Sequence, residues 1–320
     1  MSRPQANHAS ATHARVVESF GRHLIVETDA GSRFPARLFG RRIVTVCGDH
    51  VQLQPSSSDN EPRVVVAVLP RKTLFARTDA RGRTEPLAAN LSLLAVLLAP
   101  EPPSDPFIAD RYLAGAAFAG ITPAVIAHKA DLPAATSSEF VTTIGQYRAA
   151  GYPVLHVSSR DGRGLEALQE QLRDRTAMLV GQSGVGKSTL VNALAPQSQR
   201  VTRELSAATG EGRHTTVAAA LIRLASGGEL IDTPGVRDYA PPPIADADVQ
   251  QGWPEIVRLA PGCRFNDCLH LREPGCAVTA AVAAGTVTER RYESYKRLMN
   301  LMRSLLPAHE RGGPGRPSTR

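Results

Sequence analysis

The 320-residue sequence predicts a multidomain fold: an N-terminal β-barrel of the OB-fold kind, a central α/β domain around a phosphate-binding loop, and a C-terminal zinc-binding, mostly helical domain. Three observations predict it. Short β-rich runs divided by turn residues fill the first quarter of the chain; strand and helix patterns alternate through the middle; and three cysteines and a histidine crowd into fourteen residues near the end. The expected divisions are a disordered leader at 1–13, the barrel at 14–77, the α/β domain at 78–240, the zinc-binding domain at 241–308 and a disordered basic tail at 309–320.

The barrel rests on five runs, Ala14–Ser19, Leu24–Thr28, Phe34–Phe39, Ile43–Leu53 and Arg63–Leu69, each bounded by turn residues such as Asp29-Ala30-Gly31-Ser32. Five short strands in so short a span suit a small closed barrel. Such a barrel commonly grips RNA through a basic face, and Arg37, Arg41, Arg42, Arg71, Lys72 and Arg77 are candidates; aromatic residues for stacking are scarce, so contact with the RNA backbone is expected. Cys47, alone in Ile43-Val44-Thr45-Val46-Cys47, reads as a small core side chain.

After a linker near Thr78–Pro86 the period changes. Leu93–Leu98 is a continuous apolar strand, and Asp110–Phe118, Ala124–Ala127, Ser138–Ala149, Val154–Ser158 and Gly164–Leu172 then alternate helix and strand. That alternation means a parallel sheet covered on both faces.

Ala177 to Val180 form a buried strand that runs into Gly181-Gln182-Ser183-Gly184-Val185-Gly186-Lys187-Ser188, with Thr189 continuing a helical pattern. The full G-x-x-x-x-G-K-S pattern between strand and helix reads as a phosphate cradle: backbone N–H groups converge on a β-phosphate, Lys187 reaches the β- and γ-phosphates, and Ser188 reaches Mg²⁺. These phosphates are common to ATP and GTP, so the loop leaves the base open.

The base signal lies upstream. His128-Lys129-Ala130-Asp131, at a strand end, is close to the N-K-x-D guanine motif. A carboxylate at Asp131 can accept from guanine N1–H and the exocyclic amine together, a pairing adenine lacks. Lys129 is expected to lie along the base. His128 stands where the motif has Asn; an imidazole still donates one hydrogen bond, and a weaker hold on the base is expected. Ser158-Ser159, at the next strand end, resembles the S-A-K loop that touches the guanine oxygen.

Downstream, Gly212-Arg213-His214-Thr215-Thr216 follows a long polar stretch suited to a loop that a γ-phosphate orders, and Ile231-Asp232-Thr233-Pro234-Gly235 matches D-x-P-G. Asp232 and Thr216 are expected to join Ser188 about Mg²⁺, Thr215 is the alternative threonine, and the Gly235 N–H is expected to meet the γ-phosphate. Val236 takes the place of a water-orienting glutamine, which makes His214 the catalytic candidate.

The motifs therefore run guanine loop, S-A-K-like loop, phosphate loop, switch I, switch II, a circular permutation of the usual GTPase order. In this order, with the leading barrel, G-R-H-T-T and the trailing cysteine cluster, the chain resembles the small ribosomal subunit biogenesis GTPase family over about residues 13–305. The resemblance implies a central circularly permuted P-loop GTPase of the α/β class, GTP hydrolysis stimulated by the 30S subunit during its late maturation, contact with 16S rRNA, binding of GTP and GDP, and a catalytic role for His214. A nucleotide-gated RNA-binding module with incidental hydrolysis is the alternative; an ATP-dependent kinase or ATPase using the same loop is disfavoured by Asp131.

Cys263-x₄-Cys268-x-His270-x₅-Cys276 offers three thiolates and one imidazole, a donor set for one tetrahedral structural Zn²⁺. Beyond it, Thr288–Leu306 reads as a helix whose Arg290, Arg291, Lys296, Arg297 and Arg303 could face rRNA. Net charge is +7, carried by the ends: residues 1–77 hold 11 basic and 6 acidic side chains, residues 261–320 hold 10 and 5, and the middle 16 and 19. Basic flanks point to a polyanionic partner. No apolar run approaches a membrane span and Met1 to His13 has no apolar signal core, so a cytoplasmic protein with no membrane contact is expected; a monomer is expected separately, on no feature of the sequence. With switch II running into the zinc domain and the barrel attached on the guanine-motif side, loss of the γ-phosphate is expected to move one RNA-binding arm against the other.

Overall fold

Alternating burial turns the N-terminal runs into strands. In the computed structural model, which describes residues 12–54, 62–79, 81–196, 219–233 and 239–305, β1 (Thr12–Phe20), β2 (His23–Glu27), β3 (Arg33–Leu38), β4 (His50–Leu53) and β5 (Arg63–Val68) close in the order β1-β2-β3-β5-β4-β1. All pairs are antiparallel except β3 with β5. Ala14, Val16, Leu24, Val26, Ala36, Leu38, Val51, Leu53 and Val65 fill the barrel. β1 begins inside the expected leader, where Thr12 and His13 already pair with Leu53 and Gln52. The rest of that leader and the expected tail lie outside the described residues.

Two expectations for this region fail. Strand structure does not cover Ile43–Leu53: only His50–Leu53 is extended, because the buried Asp49 carboxylate accepts the Val46 N–H and folds the preceding residues into a turn. Gly48 there has φ +94°, and a Cβ on it would come within 2.2 Å of the Ala89 carbonyl oxygen, so the turn presses backbone against backbone. The polar stretch expected to be a linker is instead a hairpin of β6 (Leu74–Thr78) and β7 (Thr84–Ala89), its turn tied by Asp79, which accepts from the N–H groups of Arg81 and Arg83.

The α/β domain is a sheet in the order β10-β9-β8-β11-β13-β12, with β8 (Leu93–Leu98), β9 (Thr122–His128), β10 (Val154–Val157), β11 (Thr176–Val180) and β13 (Glu229–Asp232) parallel and β12 (Ala219–Arg223) antiparallel to β13. Every residue of β8 is buried, and alternate residues feed different cores. Leu94, Val96 and Leu98 meet α1 (Pro106–Phe118) and α2 (Ser138–Ala150), whereas Leu93, Ala95 and Leu97 meet α3 (Leu165–Leu172) and α4 (Lys187–Leu194). Such two-sided burial is why β8 reads as an unbroken apolar run.

The barrel joins this sheet through β1, which pairs with β12 at Glu18↔Ala220 and Ser19↔Ala219. It therefore stands at the edge opposite β9 and β10, not on the guanine-motif side expected from chain order. Arg15 to Glu229 at 2.6 Å and a contact of Arg223 with Glu27 bracket the junction.

The C-terminal unit comprises a 3₁₀ turn at Asp246–Gly252, α5 (Pro254–Leu259), α6 (Ala277–Ala283) and α7 (Glu289–Leu305) around Trp253, Ile256, Tyr295, Leu298, Met299 and Met302. It docks on α1. Arg291 of α7 is 2 % exposed and donates to Glu255, Asp110 and the Tyr152 hydroxyl, while Arg290 donates to Asp110 at 2.7 Å. These two arginines are therefore interface anchors, contrary to the expectation of an RNA-facing pair. Lys296 and Arg297 pair with Glu293, and Arg303 pairs with Asp246.

Candidate functional site

Parallel strands end on one edge of a sheet, and the register fixes what meets there. Val157 pairs with His128, Leu98 with Ala127, Val180 with Val96, and Met178 with Ile231. His128-Asp131, Ser158-Ser159, the 181–186 loop and Asp232 thus gather at the carboxyl edge, where open α/β sheets bind ligands. The two loops, far apart in the chain, touch there: the His128 ring meets the Val185 carbonyl and Lys129 Nζ donates to the Gly184 carbonyl.

The phosphate loop leaves β11 through Gly181, where φ is +147° and a Cβ would approach the Leu97 carbonyl oxygen to 2.6 Å. It enters α4 through Gly186, whose φ is +98°. Lys187 Nζ donates to the carbonyls of Gly181 and Gln182 at 2.6 and 2.7 Å, which centres the ammonium on the loop. Val185 is buried; Ser183, Ser188 and Thr189 are exposed on the open side.

The guanine loop is braced from three directions. The His128 ring lies 2.7 Å from both the Val185 carbonyl and Ser159 Oγ, and Ser158 donates to Asp131 Oδ1 at 2.7 Å. Lys129, with φ +58°, donates to the carbonyls of Gly184 and Glu101, and the Ala130 carbonyl accepts from Arg163 at 2.9 Å. Among the described residues no hydrogen bond reaches the second carboxylate oxygen of Asp131.

Asp232 ends β13 beside the phosphate loop. Its carboxyl keeps open surface, yet the protein packed around it raises its pKa above the ordinary carboxylate value, an effect that the positive Lys187 opposes. His214, Thr215, Thr216 and Gly235 lie outside the described residues.

Sequence reasoning missed two supports. The segment after β8 presents the Glu101 carbonyl to Lys129 and has the Asp105 N–H donate to Gln182 Oε1, and Arg163 caps the guanine loop. The run Pro100-Glu101-Pro102-Pro103 directly after an apolar strand was the available signal for an ordered segment at a sheet edge.

At the other end of the molecule, the donor atoms of Cys263, Cys268, His270 and Cys276 all lie within 4.8 Å of one another. Cys263 Sγ and Cys276 Sγ are 3.9 Å apart, and each is 3.5 Å from His270 Nδ1. Tetrahedral zinc, with Zn–S about 2.3 Å and Zn–N about 2.0 Å, sets edges of about 3.8 and 3.5 Å, so the donor set fits that ion. Gln250 Oε1 accepts from His270 Nε2 at 3.0 Å, which leaves Nδ1 as the nitrogen that could ligate a metal. The thiols differ: burial pushes Cys268 up to about 12, whereas at Cys276 the Thr279 amide at the start of α6 lowers the thiol against the same penalty. Glu273 accepts the N–H groups of Leu269, Leu271 and Arg272 and so shapes the ligand turn.

Phosphate-loop and guanine motifs that touch at one edge of a parallel sheet, with the guanine motif earlier in the chain, are the pattern of a P-loop GTPase with circularly permuted motifs. Comparison with known proteins agrees. A family model described as RsgA GTPase matches residues 68–240. The chain is 40 % identical over 290 residues to the small ribosomal subunit biogenesis GTPase RsgA of Chromohalobacter salexigens, covering 89 % of this chain and 85 % of that one. It is 40 % identical over 292 residues to the protein of the same name from Pseudomonas fluorescens, covering 90 % and 84 %. Among solved structures, YjeQ from Thermotoga maritima superposes with a TM-score of 0.69 at 26 % identity, covering 92 % of this chain and 99 % of that one. YloQ, described as a circularly permuted GTPase, gives 0.68 at 26 %, covering 95 % and 99 %. The chain belongs to the RsgA GTPase family and is a GTP hydrolase acting in small ribosomal subunit biogenesis.

Proposed function

We propose that this GTPase binds the 30S subunit through 16S rRNA during late maturation, that the subunit stimulates hydrolysis, and that hydrolysis drives release. The observation that carries the reading is that Asp131 and Lys187 lie on loops joined through His128 at the carboxyl edge of the sheet. Asp131, held by Ser158, reads the guanine edge; the N–H groups of 181–189 and the Lys187 ammonium hold the phosphates. Ser188 and Asp232, with Thr216 or Thr215, are the residues that would hold Mg²⁺, which supplies charge neutralisation at the β- and γ-oxygens. His214 positions water at the γ-phosphate, and the Gly235 N–H meets its oxygens. Zn²⁺ held by Cys263, Cys268, His270 and Cys276 fixes the fold of the C-terminal unit.

The basic barrel supports the RNA contact. Arg37, Arg41, Arg42 and Lys72 are exposed, whereas Arg71 is committed to Asp49 and Arg77 to Glu85. A cytoplasmic monomer is consistent with such an RNA partner, and among the described residues no helix is long and apolar enough to cross a membrane. The test is phosphate release from GTP and from ATP with and without purified 30S subunits. GTP-selective turnover raised by the subunit is expected; equal use of ATP, or no stimulation, defeats the reading.

A further inference from the structure

The imidazole at the start of the guanine loop is spent entirely on protein. His128 Nδ1 lies 2.7 Å from the Val185 carbonyl oxygen and Nε2 lies 2.7 Å from Ser159 Oγ. A carbonyl only accepts, so Nδ1 carries the proton, and Nε2 accepts the Ser159 hydroxyl. The side chain is 2 % exposed, and burial lowers its pKa, which favours this neutral tautomer. Fit is close on a third side: a Cβ at Gly186 would come within 2.6 Å of the ring. One side chain thereby joins the guanine loop, the loop after β10 and the phosphate loop, which are far apart in the chain. Ser158, next to the serine that His128 engages, donates to Asp131, so the same loop also sets the base-reading carboxylate.

We propose that His128 is a positioning residue that touches no part of the nucleotide and instead latches the base-reading loop to the phosphate loop, so that Asp131 and Lys187 act on one ligand at a fixed separation. The proposal rests on the guanine-nucleotide reading above and differs from the expectation that the imidazole holds the base. The latch acts equally on diphosphate and triphosphate, because neither hydrogen bond lies at the γ-phosphate. His128 therefore controls affinity and leaves the chemical step alone. A carboxamide also offers one donor and one acceptor, which makes Asn the substitution that preserves the latch.

The test measures Kd for GDP and ADP, and KM and kcat for GTP, on the full-length protein with His128→Ala, His128→Asn, Ser159→Ala and the Ala/Ala pair. His128→Ala loses both bonds and leaves the Val185 carbonyl unpaired, so Kd for GDP and KM for GTP are expected to rise together by about tenfold or more, with kcat at saturation within about twofold. His128→Asn is expected to recover most of that loss. Ser159→Ala is expected to weaken GDP binding by a smaller factor and to add nothing in the His128→Ala background, the signature of a shared contact. Unchanged Kd in His128→Ala, a fall in kcat at constant KM, or additive effects of the two substitutions overturns the latch. If His128→Ala does not fold, His128→Asn and Ser159→Ala decide alone: the latch fails if Ser159→Ala leaves GDP affinity unchanged. Equal affinity of the unsubstituted protein for ADP and GDP defeats the guanine reading instead, and a parallel loss of both ligands in His128→Ala would still support the latch.

Discussion

The two flanking units are fastened to the GTPase core by different physics. The barrel is joined by backbone: β1 extends the central sheet at β12, and the side chains around that seam, Arg15 with Glu229 and Arg223 with Glu27, are partly open to solvent. The C-terminal unit is joined by side chains: Arg291 is buried between Asp110, Glu255 and Tyr152, with its guanidinium 5.5, 5.2 and 5.9 Å from the ring centres of Tyr147, Tyr152 and Trp253. A strand seam tolerates the loss of any one side chain, because its hydrogen bonds belong to the main chain. A buried charge network does not, since removing one partner strands the others away from water. The seam also has a location the network lacks: β12 and β13 lead to Asp232, so the barrel is continuous with the strand pair beside the phosphate loop.

The contrast can be broken most severely at the metal. Chelation of the proposed zinc, or Cys276→Ala, is expected to unfold the C-terminal unit, because binding of structural zinc accounts for about 10–16 kcal/mol in small zinc domains. The chain has one tryptophan, Trp253, packed edge-on to Tyr295 in that unit, so its emission should shift to the red while the barrel keeps its β-sheet circular dichroism. Next in size, Arg291→Ala should cost about 3–5 kcal/mol in the Trp253 urea transition, as expected when a buried ion pair loses one partner. Arg15→Ala, at a seam that retains its main-chain bonds, should cost about 1 kcal/mol in the thermal unfolding of the full chain. A loss at Arg15 as large as that at Arg291 would erase the distinction.

The smallest effect is one of pH. Burial alone would raise the Glu27 pKa, but hydrogen bonds from Arg33 and Arg223 outweigh it and the net shift is downward. A depressed carboxyl stabilises the fold fully above the ordinary glutamate value of about 4.3 and loses that contribution as pH falls through its lower folded value. Glu27→Gln should therefore be less stable than the parent at pH 7, with the gap closing as the solution is acidified below about pH 4. A gap that widens on acidification would contradict the assignment.

What could be read from residues alone follows the same division between local and tertiary causes. The phosphate loop, the guanine loop and the cysteine cluster are legible because each is a short run in which the chemistry demands particular residues at fixed spacing. β8 is legible because its burial on both faces leaves no polar position. The β6–β7 hairpin was not, since its turn is polar and what holds it lies far along the chain: Phe75 stacks on Tyr239 at 5.0 Å and the Thr78 N–H donates to the Ala240 carbonyl. Arg290 and Arg291 look like any basic helix face until Asp110 and Glu255, distant in sequence, are brought to them. His128 shows both halves of the lesson, for its departure from the guanine motif is plain in the sequence, whereas its partners Val185 and Ser159 are visible only in the fold.

The central claim is that the loop at 128–131 and the loop at 181–189 close on opposite ends of one guanine nucleotide. Titration of GDP and of xanthosine diphosphate against the parent protein and Asp131→Asn tests it directly, because an amide at that position can donate to the 2-oxo group that xanthine carries in place of the guanine amine. The account predicts that the parent prefers GDP and that Asp131→Asn prefers the xanthine nucleotide, with both preferences abolished by Lys187→Ala through loss of binding altogether. Unchanged selectivity in Asp131→Asn would place the base elsewhere and contradict it.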